Sequence, residues 1–165
     1  MKKALIAMSG GVDSSAAAAR MKELGYECIG ATMMLYENET IGISRQKTCC
    51  SLDDVEDARN VAMRLGMPYY VMNFKADFKE KVMDRFVQSY LDGCTPNPCI
   101  DCNRYLKFEH LFHRAQELEC DVIVTGHYAR VEYNEERGRY TLRKAADLSK
   151  DQSYVLYSLT QEQLA

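Results

Sequence analysis

The sequence predicts an α/β fold, a doubly wound and mainly parallel sheet, and three observations point there. Four short runs, residues 4–8, 28–34, 69–72 and 122–125, are apolar almost throughout, the pattern of strands covered on both faces. Helical stripes alternate with them, so the chain reads as βαβ units. A glycine-rich stretch, SGGVDSS at residues 9–15, falls directly between the first strand and the first helix, where such sheets place ligand-binding loops.

Along the chain, residues 4–8 form too short an apolar run for the core of a signal peptide and predict a buried strand. Residues 14–24 are alanine-rich and stop at Gly25, a natural residue to follow a helix. Residues 52–65 set Leu52, Val55, Ala58, Ala62 and Leu65 along one stripe, then end at Gly66 with Pro68 just beyond. Residues 78–91 repeat Phe78, Val82, Phe86 and Tyr90 at four-residue intervals, and Phe108, Leu111, Phe112, Ala115 and Leu118 make a further stripe. After residue 125 the pattern changes. Residues 129–133 and 139–143 flank a polar turn and predict a hairpin or an excursion at the sheet's edge, and residues 154–159 predict the start of another helix.

Composition bounds the function. The chain has 165 residues, 47% hydrophobic, 27% charged and with three prolines, as expected for one soluble globular domain. A chain this long buries roughly 70% of its unfolded surface and needs no disulfide or metal to hold a core. No apolar run is long enough to span a bilayer, so no membrane partner is expected, and repeats and low-complexity tracts are absent. With 21 basic and 24 acidic side chains the formal charge is −3, which argues against a bulk positive field gripping nucleic acid and leaves room for a local basic face. Seven cysteines, an odd number, with no export signal and nine methionines predict a reducing, cytoplasmic setting in which thiols do chemistry.

The loop at Ser9-Gly10-Gly11-Val12-Asp13-Ser14-Ser15 is the sharpest signal. Two glycines let the backbone turn tightly against a ligand, and the amides at the helix start favour negative charge. Ser9, Ser14 and Ser15 add hydroxyls, while Asp13 is expected to cap the helix or hold Mg²⁺. A simple capped strand-to-helix turn is the plain alternative. The loop lacks both the Walker A lysine and the GxGxxG spacing. It resembles instead the pyrophosphate loop of the N-type ATP pyrophosphatases, which bind ATP, transfer AMP to a carbonyl oxygen and release pyrophosphate.

The second signal is residues 93–103, GCTPNPCIDCN. Pro96 and Pro98 predict a rigid extended loop, with a helix beginning just after it. Cys102 would then sit near a helix N-terminus, where the dipole favours a thiolate. Cys99 and Cys102 form a C-x-x-C pair with three readings: half of a zinc site, a redox or resolving pair, or two small core residues. Zinc needs a second pair, and Cys49-Cys50 has the wrong spacing, so a nucleophile near an ATP site is favoured and no metal ligand set is assigned. Cys49-Cys50 reads equally well as two small buried residues opening a helix. Thr125-Gly126-His127-Tyr128 follows the fourth strand, where parallel sheets contact ligands, although a lone surface histidine is the plain alternative. Lys150-Asp151-Gln152-Ser153 precedes an apolar segment and reads as a functional knot or a helix cap.

Five motifs in this order, SGGVDSS, CCSxxDxxDAR, TPNPCxxCNxxxKF, DxxxTGHYAR and KDQSYxL, resemble the tRNA-specific 2-thiouridylase family along the whole chain. That resemblance implies thiolation of the wobble uridine in lysine, glutamate and glutamine tRNAs. It implies contact with ATP by Ala7, Met8, Ser9, Gly10, Gly11, Val12, Asp13 and Ser14, with Met33 and Gly126. It sets Asn97, Pro98 and Cys99 against the target base, and His127, Lys150, Asp151 and Gln152 against tRNA. Cys102 is implied as the catalytic nucleophile, with Asp13 serving the catalytic centre. Mg²⁺, disulfide chemistry and a sulfur-donor protein, either a persulfide relay or a cysteine desulfurase, are implied as well. Family members are longer, with a tRNA-recognition domain, a β-barrel and a second catalytic cysteine after the catalytic domain, so residues 1–165 are expected to be that domain alone. Two rivals remain: another ATP pyrophosphatase that adenylates a small molecule, against which the cysteine loop counts, and a nucleotide-binding or iron–sulfur module.

Overall fold

A computed structural model describes residues 1–36 and 52–165. In chain order the elements are β1 (Lys3–Ala7), α1 (Val12–Glu23), β2 (Glu27–Met34), α2 (Leu52–Arg64), β3 (Tyr69–Asn73), α3 (Lys75–Phe78), α4 (Asp84–Leu91), α5 (Pro98–Asp101), α6 (Leu111–Glu117), β4 (Val122–Val124), β5 (Ala129–Asn134), β6 (Arg139–Lys144) and α7 (Gln161–Leu164). Two stretches, Lys79–Met83 and Cys102–His110, are π-helical, and single 3-10 turns lie at Leu148–Lys150 and Ser153–Val155. The chain forms two compact units, one of residues 1–78 with 113–126 and one of residues 79–112 with 127–165.

The first unit is the expected parallel α/β fold. Its four strands run in the order β3-β2-β1-β4 and every pairing is parallel. The chain steps outward from β1 through β2 to β3 and then returns to β1's other side as β4. That reversal puts a topological switch point at the carboxyl ends of β1 and β4, the place where open α/β sheets bind ligands. Ala4, Leu5 and Ile6 of β1 are fully buried, and Ala4 and Ile6 join Ala18 of α1, Cys28 of β2 and Ala58 and Ala62 of α2 in one core. At roughly 1.5–3 kcal/mol for each large aliphatic side chain removed from water, this layer anchors the unit. Small residues on the inward faces of α1 and α2 let both helices approach the sheet closely. The run 69–72 is not covered on both faces as its composition suggested. Tyr70 and Val71 are exposed, because β3 is the edge strand.

In the second unit β5 and β6 pair antiparallel, as the hairpin reading expected, yet they make a separate two-stranded sheet and no edge of the parallel one. Phe108, Val155 and Leu156 form its core, with Ile100, Ala129, Leu142 and Leu159 against them. The four-residue stripe at 78–91 is not one helix: α3, a π stretch and α4 follow one another, and only Val82 of the four is buried. Residues 154–159 contain part of a 3-10 turn rather than a helix start, and α7 begins later behind a Thr160–Gln163 capping box.

Candidate functional site

The glycine-rich loop is held from below. After β1, the Met8 amide donates to the Ala31 carbonyl at 2.8 Å, and the Met8 carbonyl accepts from Thr32 Oγ1 at 2.7 Å. Thr32 is fully buried and accepts in turn from the Tyr69 hydroxyl at 2.7 Å, which also lies 3.2 Å from the Val55 carbonyl. A three-residue relay from β3 through β2 thereby fixes the point at which the loop leaves the sheet. Gly10 has φ +77°, and a Cβ there would sit 2.5 Å from the Asp54 carbonyl oxygen, so no other residue fits without displacing the start of α2.

Gly11 is the N-cap of α1 and brings no side-chain cap, which leaves the first-turn amides with no side-chain acceptor in the cap position. Asp13 is therefore not the cap, as the sequence had allowed. It is exposed in the first turn, where the helix dipole favours a carboxylate. Ser14 and Ser15 do not offer hydroxyl protons outward either, since both donate to the Gly11 carbonyl, at 3.0 and 2.9 Å. Ser14 Oγ also receives the Ser9 amide at 3.3 Å, and it is buried. These bonds shape the turn from inside.

Gly126 closes the cradle. A Cβ on it would meet the Ser14 amide nitrogen at 2.8 Å and the Asp13 carbonyl carbon at 3.0 Å. The loop after β4 therefore lies directly on the first turn of α1, and two sequence-predicted pieces, residues 7–14 and Gly126, come together at the switch point. Met33 stands one residue before the end of β2 with its side chain buried, so a ligand there meets its backbone only. The cradle is narrow, glycine-lined and rimmed by amides, a fit for a polyphosphate.

In the second unit the cysteine segment departs from expectation. Irregular backbone covers only residues 94–97, with Asn97 extended, and the helix begins at Pro98, which occupies N1 where its missing amide costs nothing. Asn97 is the N-cap, its side-chain oxygen accepting from the Cys99 amide at 3.0 Å. Cys102 is therefore past the first turn of the helix, where the dipole argument made for it does not reach. Asn103, buried, donates its amide to the Cys99 carbonyl at 2.8 Å, while its Oδ1 is buried without a partner. The Asn103 amide thus satisfies the carbonyl four residues back, just where the helix widens from α to π at Cys102. Cys99 is exposed and Cys102 half-buried.

No disulfide joins the described cysteines 28, 94, 99, 102 and 120 to one another, so the implied disulfide is not found among them, and Cys49 and Cys50 lie outside the described residues. Burial pushes the Cys28 and Cys120 thiols above the ordinary cysteine value.

His127 is no surface histidine. Burial, with the adjacent Lys107 ammonium, pushes its pKa down to about 4, so the imidazole is neutral. Lys107 Nζ stands 3.5 Å from His127 Nε2, and the Phe108 ring lies 6.3 Å from the imidazole. Gln152 grips Tyr128 twice, accepting its amide at 3.0 Å and donating to its carbonyl at 2.9 Å. Asp151 accepts from the Ala145 amide and the Ser153 hydroxyl, each at 2.7 Å, and these bonds hold its carboxyl below the usual range. Of the three residues, only Lys150 has its polar end outward, its ammonium 5.2 Å over the Tyr128 ring. Sequence reasoning missed Thr32, Tyr69, Asp54, Asn103 and Lys107. Thr32 carried a signal, as a polar residue inside an apolar strand, and Asn103 and Lys107 stood unassigned inside TPNPCxxCNxxxKF.

A family model described as "tRNA methyl transferase HUP domain" matches residues 2–165. The tRNA-specific 2-thiouridylase MnmA of Clostridioides difficile is 52% identical over 163 residues, covering 99% of this chain and 45% of the relative. The protein of the same name from Clostridium acetobutylicum is 55% identical over 163 residues, again 99% of this chain and 45% of the relative. The chain spans about 45% of the length of these curated relatives. Among solved structures, NMN synthetase from Francisella tularensis aligns with a TM-score of 0.47 and 18% identity over 74% of this chain and 44% of that one. With a family match from residue 2 to residue 165, this chain belongs to the tRNA methyl transferase HUP domain family.

Proposed function

We propose that residues 1–165 are the ATP-using catalytic part of a tRNA-uridine 2-sulfurtransferase. The observation that carries this reading is the cradle of Gly10, Gly11 and the α1 amides closed by Gly126, in a chain more than half identical to proteins named as tRNA-specific 2-thiouridylases. The family description names methyl transfer and the relatives' names thiolation. The pair Cys99 and Cys102, in a segment capped by Asn97 and clamped by Asn103, supports sulfur as the atom delivered.

In this mechanism the α1 amides and the Ser9–Gly11 turn hold the β- and γ-phosphates, and the helix dipole stabilises the pyrophosphate as it leaves. The C2 oxygen of the wobble uridine attacks the α-phosphorus, which turns a poor leaving group into AMP. The outer sulfur of a persulfide then adds at C2 and AMP departs, after which a thiolate attacks the inner sulfur of the C2–S–S bond, freeing 2-thiouridine and leaving a disulfide. Cys102 is the thiol of this chain proposed to act there, with Asn97, Pro98 and Cys99 beside the extruded base and His127 and Lys150 toward the tRNA. Asp151 and Gln152 serve by fastening residues 128 and 145. Among the described residues no group of three His, Cys, Asp or Glu side chains is placed to hold a metal. Mg²⁺, which supplies charge neutralisation on the phosphates, would be held by the nucleotide and a single carboxylate, Asp13. A persulfide-bearing protein, a relay or a cysteine desulfurase, is the proposed sulfur source, and a cytoplasmic setting, where thiols stay reduced, is proposed with it.

The test is pyrophosphate release from ATP by the chain, with and without unmodified glutamate or lysine tRNA. Release stimulated by tRNA, and kept in Cys102→Ser because adenylation precedes sulfur addition, is the expected result. Release that a free small amide stimulates and tRNA does not would replace the tRNA reading by that of a small-molecule synthetase.

A further inference from the structure

Lys107 has no role in the mechanism above, yet its surroundings are unusual. Its side chain is half-buried and its ammonium meets a neutral imidazole, which accepts one proton of the three. Eight other lysines and arginines among the described residues lie within ion-pair distance of a carboxylate. Lys107 and Lys150 have none there, as is also true of the exposed Arg104 and Arg139; Lys107 differs from these in being half-buried. The two ammoniums attend consecutive residues: Lys107 reaches His127, and Lys150 lies over the ring of Tyr128. Double hydrogen bonding by Gln152 keeps Tyr128 in place. A partly desolvated cation without a counter-ion is costly, and an arriving anion relieves that cost.

We propose that Lys107, held by His127 and joined by Lys150 at Tyr128, is a phosphodiester-binding residue that takes an RNA backbone phosphate beside the nucleotide being modified. The proposal rests on the tRNA reading of the preceding subsection. Lys107 lies five residues after Cys102 on the same π-helical stretch, the span of one π-type hydrogen bond, so the phosphate it holds stands close along the helix to the reacting thiol. A neutral His127 matters to this arrangement. It orients the ammonium without repelling it and leaves two of its protons for phosphate oxygens. Tyr128 adds an aromatic face of the kind on which unstacked bases rest.

The experiment measures binding of the 165-residue chain to a fluorescent RNA hairpin with the sequence of an unmodified anticodon stem-loop, at several salt concentrations. Wild type should bind with an affinity that falls linearly in log–log form as salt rises. Lys107→Gln should flatten that slope by about one and weaken binding roughly fivefold to tenfold at low salt, and Lys107→Arg should restore the slope. Lys79→Gln, at an exposed lysine already paired with Asp84, should leave the slope unchanged. ATP affinity by calorimetry should be the same in Lys107→Gln as in wild type.

An unaltered salt slope in Lys107→Gln overturns the proposal while leaving the tRNA reading intact. A loss of ATP affinity in that variant also overturns it, by giving the lysine to nucleotide phosphates. If wild type binds no RNA at any salt, the tRNA reading itself fails first. Should Lys107→Gln not fold, Lys150→Gln is read instead, and an unchanged slope there is equally fatal.

Discussion

The Asn103 side-chain amide donates to the Cys99 carbonyl at 2.8 Å, four residues back and at the point where the helix changes from α to π. With Asn97 accepting the Cys99 amide, two asparagines hold the Cys99 backbone from both sides. The clamp leaves Asn103 Oδ1 buried and unpartnered, a cost retained in a segment that carries two thiols.

Replacing Asn103 separates these contributions. Asn103→Leu loses one hydrogen bond and also removes the orphaned oxygen, so it should cost less than about 1 kcal/mol in urea unfolding. Asn103→Asp loses the donor and adds acceptor capacity in a buried position, and should cost about 2–3 kcal/mol at neutral pH. Equal losses would show that the Cys99 clamp is not what the side chain contributes.

Thr32→Val breaks the Tyr69–Thr32–Met8 relay and leaves the Met8 carbonyl without its 2.7 Å donor. Stability should fall by about 1–3 kcal/mol, and hydrogen exchange at the amides of residues 8–11 should speed up. Tyr69→Phe, which leaves the Thr32–Met8 bond in place, should cost less. A larger effect from Tyr69→Phe would contradict the order of this relay.

His127 gives a pH signature with a definite sign. Its folded value, about 4, is below the ordinary 6.5, so between these pH values the unfolded chain takes up a proton that the folded chain refuses. Its contribution to stability is complete above about pH 6.5, falls as pH drops through that window and levels off below about 4. The full difference is at most about 3 kcal/mol. Urea unfolding of wild type and His127→Asn should therefore converge as the pH drops toward 4. Parallel stability curves would show that the imidazole titrates normally and is not desolvated.

Much of this molecule was legible in its sequence, for identifiable reasons. Residues 4–8 are fully apolar, and residues 28–34 nearly so apart from Thr32, because β1 and β2 are central strands, and Gly10 is where it is because Asp54 leaves no room for a Cβ. The edge position of β3 was hidden, because Tyr70 and Val71 read as core until the strand order is known. The helix start at Pro98 was misread because proline was taken as ending the loop's reach rather than opening the helix at N1. Asp151 and Gln152 looked like surface ligands, since only tertiary structure shows their side chains holding residues 145 and 128. Lys107 and His127 are distant in sequence, and no local pattern announces their contact.

The central claim is that the loop after β1 and Gly126 together form a nucleotide phosphate cradle, and calorimetric titration of the chain with Mg·ATP tests it most directly. Wild type should show saturable binding at a single site. Gly126→Ala, whose methyl would stand 2.8 Å from the Ser14 amide nitrogen, should bind at least about tenfold more weakly. Its unfolding midpoint should fall as well, because the methyl meets backbone atoms of the first turn of α1, so binding is measured at a temperature where both proteins are fully folded. No heat of binding in wild type, or equal affinity in wild type and Gly126→Ala, would contradict the account.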